Sequence, residues 1–133
     1  ENLVKANPFV DQVVMIGDGR NFPALLVVPD FQNLEAWARS NGLRWAERRD
    51  LLRHTRTRDR MGDEIFGLLG DLASYERPKK IGLIQEEFTI EGGIMTPNQK
   101  VKRRVIQERY GPLIERLYDP SNRMTDVLVE EDE

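Results

Sequence analysis

Two nearly continuous apolar runs, separated by a short glycine-containing turn, are the feature that most limits what this chain can fold into. The first run, FVDQVVMI, spans Phe9 to Ile16, and the second, FPALLVVP, spans Phe22 to Pro29. The intervening GDGR is typical of a turn, because glycine adopts positive φ at little steric cost. Strands with so few polar residues are covered on both faces of their sheet. The pattern therefore predicts a β-hairpin flanked by helices.

Helical periodicity follows the second run. FQNLEAWARS comes after Asp30, a suitable N-cap, and ends at Asn41-Gly42. From Trp45 to Ser74 the apolar residues keep helical spacing, although a polar stretch from Thr55 to Gly62 predicts a break or kink. Pro78 cannot continue a helix, so this region ends before it. We expect these helices to cover the sheet.

The second half of the chain predicts one more strand and one more helical region. IGLIQEEF, Ile81 to Phe88, has the composition of a strand, and a loop follows in which Ile94-Met95 is a short accessory β element. Helical spacing resumes from Val101 to Leu117, and Gly111-Pro112 predicts a kink or a junction between two helices. The expected fold is α+β, a small sheet made of the hairpin and a further strand and flanked by helices.

Length, charge and residue composition exclude several classes of function. A chain of 133 residues is about one domain, and its formal net charge of −3 gives no general attraction to nucleic acid. The absence of cysteine excludes thiolate chemistry and disulfides, and the single His54 cannot form a histidine cluster, so no metal site is predicted. No apolar run is long enough to span a bilayer, and Glu1 begins no signal peptide, so we expect a cytoplasmic protein. ENLVKAN reads as the end of a helix, which predicts that the chain is part of a longer protein.

A cluster of arginines between Arg44 and Arg60 leaves two functions open. Such a segment could follow the phosphates of a polyanion. The alternative function is therefore a stand-alone module that binds nucleic acid or another polyanion through this segment and the cations around Lys100. Nearby acids can pair with these arginines three or four residues away, however, so a solvated helix face is the simpler interpretation. The acids at Glu86, Glu87 and Glu91 are interpreted as surface residues, and His54 is given no role.

The densest group of cations, GGIMTPNQKVKRR from Gly92 to Arg104, lies at a predicted loop–helix junction. Lys100 is the last loop residue, whereas Lys102, Arg103 and Arg104 are predicted to lie in the helix. Cations at a helix N-terminus oppose the helix dipole, which is unfavourable and hints at function. A lysine on a loop can reach phosphoryl or carboxylate oxygens where negative charge develops. On composition alone a solvated basic helix start explains the group about equally well.

The segments GDGRNFPALLVVPD and LASYERPKKIGLIQEEFTIEGGIMTPNQKVKRRVIQERYGPLIERLY closely resemble the C-terminal domain of long-chain fatty-acid–CoA ligases, members of the adenylate-forming superfamily. The resemblance extends from Glu1 to about Tyr118. It implies that residues 1–120 are the mobile lid of an AMP-forming acyl-CoA ligase and that a large N-terminal domain lies upstream. The acidic composition of residues 121–133 predicts a tail with a mobile tip.

The resemblance also implies roles for particular residues. TPNQKVKRR matches the family motif whose first lysine acts in acyl-adenylate formation, which makes Lys100 the adenylation lysine. Arg77, Pro78 and Lys79 correspond to a segment near the CoA nucleotide in related ligases, and Arg20, at the hairpin turn, is a weaker candidate for the same contact.

The substrates and partners implied are fatty acid, ATP with Mg²⁺, CoA and the chain's own N-terminal domain, which would bind ATP and Mg²⁺ for the most part. No nucleic-acid partner is implied, and peripheral membrane association of the full enzyme is possible. The lid alone is expected to be inactive. A ligase for another carboxylic acid remains an alternative, because chain-length selection takes place outside this segment.

Overall fold

The computed structural model describes residues 2–70, 72, 77–98, 100–122 and 126–130. The helices within these residues are α1 (Asn2–Lys5), α2 (Phe31–Ser40), α3 (Arg48–Arg53), α4 (Thr55–Leu68), α5 (Arg103–Arg109) and α6 (Gly111–Tyr118), and a short 3₁₀ helix covers Pro120–Asn122. The strands are β1 (Val10–Ile16), β2 (Ala24–Pro29), β3 (Lys80–Leu83) and β4 (Val127–Val129).

The four strands of the described residues form one mixed sheet in the order β1-β2-β3-β4. β1 and β2 are the predicted antiparallel hairpin, with Gln12 opposite Val28 and Ile16 opposite Ala24. β3 runs parallel to β2, and β4 runs parallel to β3. Every residue of β2 is buried, as expected for a central strand covered on both faces. The predicted fold class, a small sheet flanked by helices, is therefore confirmed.

The sheet separates two hydrophobic clusters because successive side chains of a strand point to opposite faces. On one face Leu25 and Val27 pack with residues of α2, α3 and α4, including Leu34, Leu52 and Ile65. On the other face the buried residues come from β1, β2, β4, the segment that follows β3 and the α5–α6 region, namely Val14, Ile16, Ala24, Leu26, Val28, Ile84, Phe88, Ile94, Ile106, Tyr110, Leu113, Ile114, Leu117 and Leu128. The second face is the one that carries the cationic loop.

Two strand predictions need correction. β3 ends at Leu83 instead of Phe88, because the next ladder bond to β2 would need an N–H from Pro29, which has none. The segment predicted as an acidic tail contains β4, whose three residues are buried beside β3. A three-residue strand with a distant parallel partner leaves no periodic signal in the sequence. The predicted mobile tip, residues 131–133, lies outside the described residues.

The helical predictions hold with shifted boundaries. Asp30 accepts a hydrogen bond from Asn33 N at 3.1 Å and caps α2, as expected. The predicted break lies at His54, one residue before the expected range, and separates α3 from α4. Of the predicted kink or junction, the structure has a junction at Tyr110 between α5 and α6. The predicted continuation to Ser74 is wrong, because α4 ends at Leu68 with Leu69 as its C-cap; residues 71, 73 and 74 lie outside the described residues.

Candidate functional site

The loop that carries Lys100 begins with a tight turn organised by Thr89. The Thr89 hydroxyl accepts a hydrogen bond from Gly92 N at 2.9 Å, and its carbonyl accepts bonds from Ile94 N and Met95 N at 3.2 and 3.1 Å. Gly93 adopts a φ of +82°, a conformation that favours glycine. Gly92 and Gly93 therefore form part of a defined turn.

The loop then closes on itself at Lys100. Met95 pairs with Val101 in an isolated antiparallel bridge, which confirms the accessory β element expected before Lys100. The Lys100 carbonyl accepts a bond from Thr96 N at 2.8 Å, and Lys100 N donates to Thr96 Oγ1 at 3.1 Å. Lys102 N donates to Ile94 O at 2.6 Å. The backbone of Lys100 is thus held from both sides while its side chain is exposed.

The other cations of this region are arranged differently. Lys102 is the N-cap residue of α5 and not part of the helix, which begins at Arg103. The Arg103 guanidinium donates to Met15 O on β1, and Arg104 pairs with Glu108 at 3.7 Å. In the part of the chain that the structure describes, no carboxylate lies within ion-pair distance of Lys100 Nζ. Lys100 therefore combines a fixed backbone with a side chain that can reach outward.

Three residues that the sequence analysis did not select fix the loop to the fold. Gln12 on β1 exchanges two hydrogen bonds with the backbone of Phe88, and Arg109 donates to Gly92 O at 2.9 Å. Thr89 organises the turn between these two anchors. A signal was available for Gln12, since it is a polar residue within the first apolar run.

Burial affects the pKa of groups behind this loop. Tyr110 is 3% exposed, and its ring lies 6.2 Å from that of Phe88. Burial raises the pKa of Tyr110 to about 12, with a further increase from Glu130 and Glu86 and a decrease from Arg109. Burial, followed by Glu86, also raises the pKa of Glu130, while Arg49 lowers it. The loop thus rests on a region of low polarity.

Arg20 lies at the β1–β2 turn, as predicted, but it is engaged within the domain. Its guanidinium pairs with Glu115 and lies over the Tyr118 ring, 4.7 Å from the centroid. Tyr118 in turn donates to Phe22 O at 2.8 Å, which ties the turn to α6. Arg20 and Arg103 line a cleft of about 400 Å³ between the turn and α5.

The three residues of the other predicted CoA segment have different environments. Arg77 donates to Gly70 O at 3.0 Å and to Leu72 O at 2.8 Å, so its guanidinium holds the preceding backbone. Pro78 is buried, whereas the side chain of Lys79 is exposed. Lys79 N donates to Pro23 O at 3.0 Å, which brings this segment beside the β1–β2 turn. The structure thus places the predicted CoA residues at one end of the sheet.

The arginine-rich segment interacts largely with its own domain. Arg48 lies 4.5 Å from the centroid of the Phe31 ring and 3.9 Å from the carboxylate of Glu35. Arg60 pairs with Glu64 at 2.9 Å, and Arg56 donates to Asn41 O at 2.9 Å. These contacts favour the solvated helix face over a polyanion-binding surface. Glu86, Glu87 and Glu91 are exposed, as interpreted from the sequence.

Among the described residues, no three or more acidic or histidine side chains lie together in a way that could hold a metal ion. In the same part of the chain, each helix is too short or too polar to span a bilayer.

Known proteins resemble this chain in sequence. It is 31% identical over 121 residues to the peroxisomal long chain acyl-CoA synthetase 6 of Arabidopsis thaliana, which covers 89% of this chain and 17% of that protein. It is 27% identical over 120 residues to the long-chain-fatty-acid–CoA ligase FadD15 of Mycobacterium tuberculosis, covering 90% and 20%, respectively. It is 29% identical to the long-chain-fatty-acid–CoA ligase 1 of Cavia porcellus over 121 residues, covering 89% and 17%. No protein-family model matches the chain.

Solved structures resemble the fold. The adenylation domain of a carboxylate reductase from Mycobacterium chelonae matches with a TM-score of 0.68 and 26% identity, covering 89% of this chain and 17% of that one. The A-PCP didomain of carboxylic acid reductase from Segniliparus rugosus, in complex with AMP, matches with a TM-score of 0.67 and 26% identity, covering 89% and 15%.

The fold and these neighbours define the class of protein, an α+β domain of the adenylate-forming enzymes. Within that class, the relatives described above are long-chain acyl-CoA synthetases and ligases, at 27% to 31% identity over about 90% of this chain. The chain spans only 17% to 20% of the length of these curated relatives.

Proposed function

We propose that this chain is the mobile C-terminal lid of a longer, ATP-dependent long-chain fatty-acid–CoA ligase and that Lys100 is its adenylation lysine. The observation that carries the proposal is the exposed Lys100 side chain on a backbone held by Thr96 on both sides. The strand β4 belongs to the sheet, so the proposed lid extends beyond Pro120 to include it. The names of the relatives support the reaction and the long-chain substrate.

The chemistry assigned to Lys100 is electrostatic. In acyl-adenylate formation a carboxylate oxygen bonds to the α-phosphorus of ATP, and the bond from that phosphorus to the pyrophosphate oxygen breaks. Negative charge concentrates around the α-phosphoryl oxygens during this exchange. The Lys100 ammonium would donate hydrogen bonds to these oxygens and to the carboxylate, with no proton transfer required. Closure of the lid would exclude water and strengthen this interaction.

The second half-reaction would use another part of the lid. The CoA thiol attacks the acyl carbonyl carbon, the thioester forms, and AMP leaves. We assign the contacts with CoA to Lys79, Arg77, Pro78 and Arg20, which lie at the same end of the sheet. Lys79 is exposed and suited to a phosphate, whereas Arg20 would have to exchange its pairing with Glu115 for one with CoA.

ATP and its Mg²⁺ would be bound mainly by the large N-terminal domain of the longer enzyme, as the resemblance implies. By itself, the chain should form no acyl-CoA from ATP, fatty acid and CoA. We place the enzyme in the cytoplasm, although two of the plant relatives are named as peroxisomal. The reductase domains among the solved structures favour one alternative, a lid that serves another class of carboxylic acid.

The test uses Lys100→Ala in the longer enzyme, with Lys102→Ala as the matched control. We expect Lys100→Ala to lower adenylation, followed as fatty-acid-dependent exchange of pyrophosphate into ATP, by roughly 100-fold or more. Thioester formation from supplied acyl-adenylate should change little, because that step does not need the lysine. An equal loss in both steps, or the same loss in Lys102→Ala, would remove Lys100 from the proposed role.

A further inference from the structure

Gln12 is a polar residue in a largely apolar part of β1. Gln12, Val14 and Ile16 lie on one face of β1, because alternate residues of a strand point the same way. Val14 and Ile16 are buried in the cluster beneath the Lys100 loop, and Gln12 is half-buried at the border of that cluster. An amide on a core-facing position loses water and therefore needs hydrogen-bond partners in the protein.

Gln12 finds both partners in one residue. Its Nε2 donates to Phe88 O at 2.9 Å, and its Oε1 accepts from Phe88 N at 2.7 Å. Through these two hydrogen bonds the Gln12 side chain joins β1 to the backbone at Phe88, which lies beyond the end of β3 at Leu83. A single side chain on β1 thus holds the backbone at Phe88.

This pair of hydrogen bonds between Gln12 and Phe88, the Gln12 clamp, lies directly before the turn that leads to Lys100. Thr89, the next residue after Phe88, accepts the bonds that shape the turn up to Met95. Gln12 Nε2 also approaches Met95 Sδ at 3.7 Å, and Met95 forms the bridge with Val101, the neighbour of Lys100. The Gln12 side chain on β1 therefore contacts both ends of the turn.

We propose that Gln12 is a positioning residue that fixes the place of Lys100 relative to the sheet. The proposal depends on the function proposed above, in which the Lys100 ammonium acts at the reacting atoms. Misplacement of a reacting group by about 1 Å can lower a rate roughly 100-fold. Loss of the Gln12 clamp should therefore lower adenylation even though Gln12 itself touches no substrate.

The experiment compares three substitutions in the longer enzyme. Gln12→Leu keeps a similar volume and removes both bonds to Phe88, whereas Gln12→Glu keeps an acceptor for Phe88 N. Gln32→Leu, on the exposed surface of α2, is the matched control. The readouts are the kcat of adenylation, the rate of thioester formation from supplied acyl-adenylate, and amide hydrogen exchange of the segment 89–98.

We expect Gln12→Leu to lower the kcat of adenylation about 10-fold or more, with thioester formation changed less than about twofold. Gln12→Glu should retain more activity than Gln12→Leu, and Gln32→Leu should match the wild type. Exchange should become faster in the segment 89–98 but not in β2. A general loss of stability would instead lower both half-reactions and speed exchange throughout the sheet, which would overturn the proposal.

The double variant separates this proposal from the function on which it depends. If Gln12 acts through Lys100, Gln12→Leu should cause no further loss of adenylation when added to Lys100→Ala. If Lys100→Ala abolishes adenylation and Gln12→Leu leaves it intact, the positioning role is wrong and the proposed function stands. If Lys100→Ala leaves adenylation unchanged, both are wrong.

Discussion

At the scale of single residues, the side chains around the loop divide into one that is free to reach out and several that hold the backbone. Lys100 is exposed, whereas Thr89, Thr96 and Gln12 direct their polar atoms to main-chain groups. Because the backbone of Lys100 is already ordered, only its side chain loses conformational freedom when the ammonium binds an anion. The division of roles explains how a loop can serve a reaction that requires a defined geometry.

Glycine, proline and helical periodicity predicted the loop–helix junction near Lys100, but they placed the start of the helix directly after it, whereas α5 begins at Arg103. Sequence reasoning could not foresee that Arg20 pairs with Glu115 or that Arg77 holds Gly70 and Leu72, because these contacts depend on the packing of distant or irregular segments. The roles given to Arg20, Arg77, Pro78 and Lys79 remain predictions.

Tyr110 provides a test of the burial beneath the loop. Its pKa is raised from 10.0 to about 12, so between these values the unfolded chain ionises while the folded one keeps its proton. The stability due to the neutral phenol is present below pH 10.0 and is lost as the pH rises through about 12.

We therefore expect the free energy of unfolding of the wild type to fall more steeply in this range than that of Tyr110→Phe, by about 2 kcal/mol in all. Urea unfolding at a series of alkaline pH values measures the difference. Parallel curves for the two proteins would show that Tyr110 ionises normally.

At the scale of elements, the close approach of α6 to β3 depends on a glycine. A Cβ on Gly82 would lie 2.9 Å from Leu26 Cδ2 and 3.0 Å from Leu113 Cδ2, both in the buried cluster beneath the loop. Helix α6 can therefore pack on the sheet only where β3 has no side chain on this face.

Two alanine substitutions test this packing with opposite expected signs. Gly82→Ala should lower the free energy of unfolding by about 1–3 kcal/mol, because the two leucines must move within a packed core. Gly67→Ala, on the exposed side of α4 with open space around it, should raise the same quantity by about 0.5–1 kcal/mol through helix propensity. Thermal and urea unfolding of both variants provides the measurement. A Gly82→Ala variant as stable as the wild type would mean that α6 adjusts freely.

The elements also show where local signals suffice. The hairpin, α2 and the α5–α6 junction were predicted because turns, caps and periodicity are encoded within a few residues. The end of β3 and the presence of β4 depend on pairing between segments far apart in sequence, and Val127–Val129 is too short to carry a pattern of its own. Long-range pairing is the part of the fold that a single sequence specifies least directly.

At the scale of the whole molecule, the arginines and the Lys100 loop lie on opposite faces of the sheet. Arg48 and Arg60 stack on aromatic rings that pack against the hydrophobic cluster of α2 to α4. The loop that carries Lys100 packs on the hydrophobic cluster of the opposite face. The charges of the two arginines are largely balanced by Glu35 and Glu64. The arrangement is that of a stabilised domain surface.

This arrangement predicts weak binding of the chain to polyanions. On immobilised heparin we expect early elution with a shallow dependence on salt, since few cations are available to displace counterions. Charge reversal at two exposed arginines, Arg44→Glu and Arg53→Glu, should leave the elution nearly unchanged. Strong retention that falls steeply with salt, and is lost in these variants, would support the alternative of a polyanion-binding module.

The separation of the two hydrophobic clusters has a consequence for how such a domain can change over time. The described residues of one cluster do not belong to the other, so an altered residue on the α2–α4 side strains its own neighbours before it reaches those under the loop. Residues of the α2–α4 cluster, and the surface on that side, can therefore change in sequence with little effect on the packing beneath the Lys100 loop.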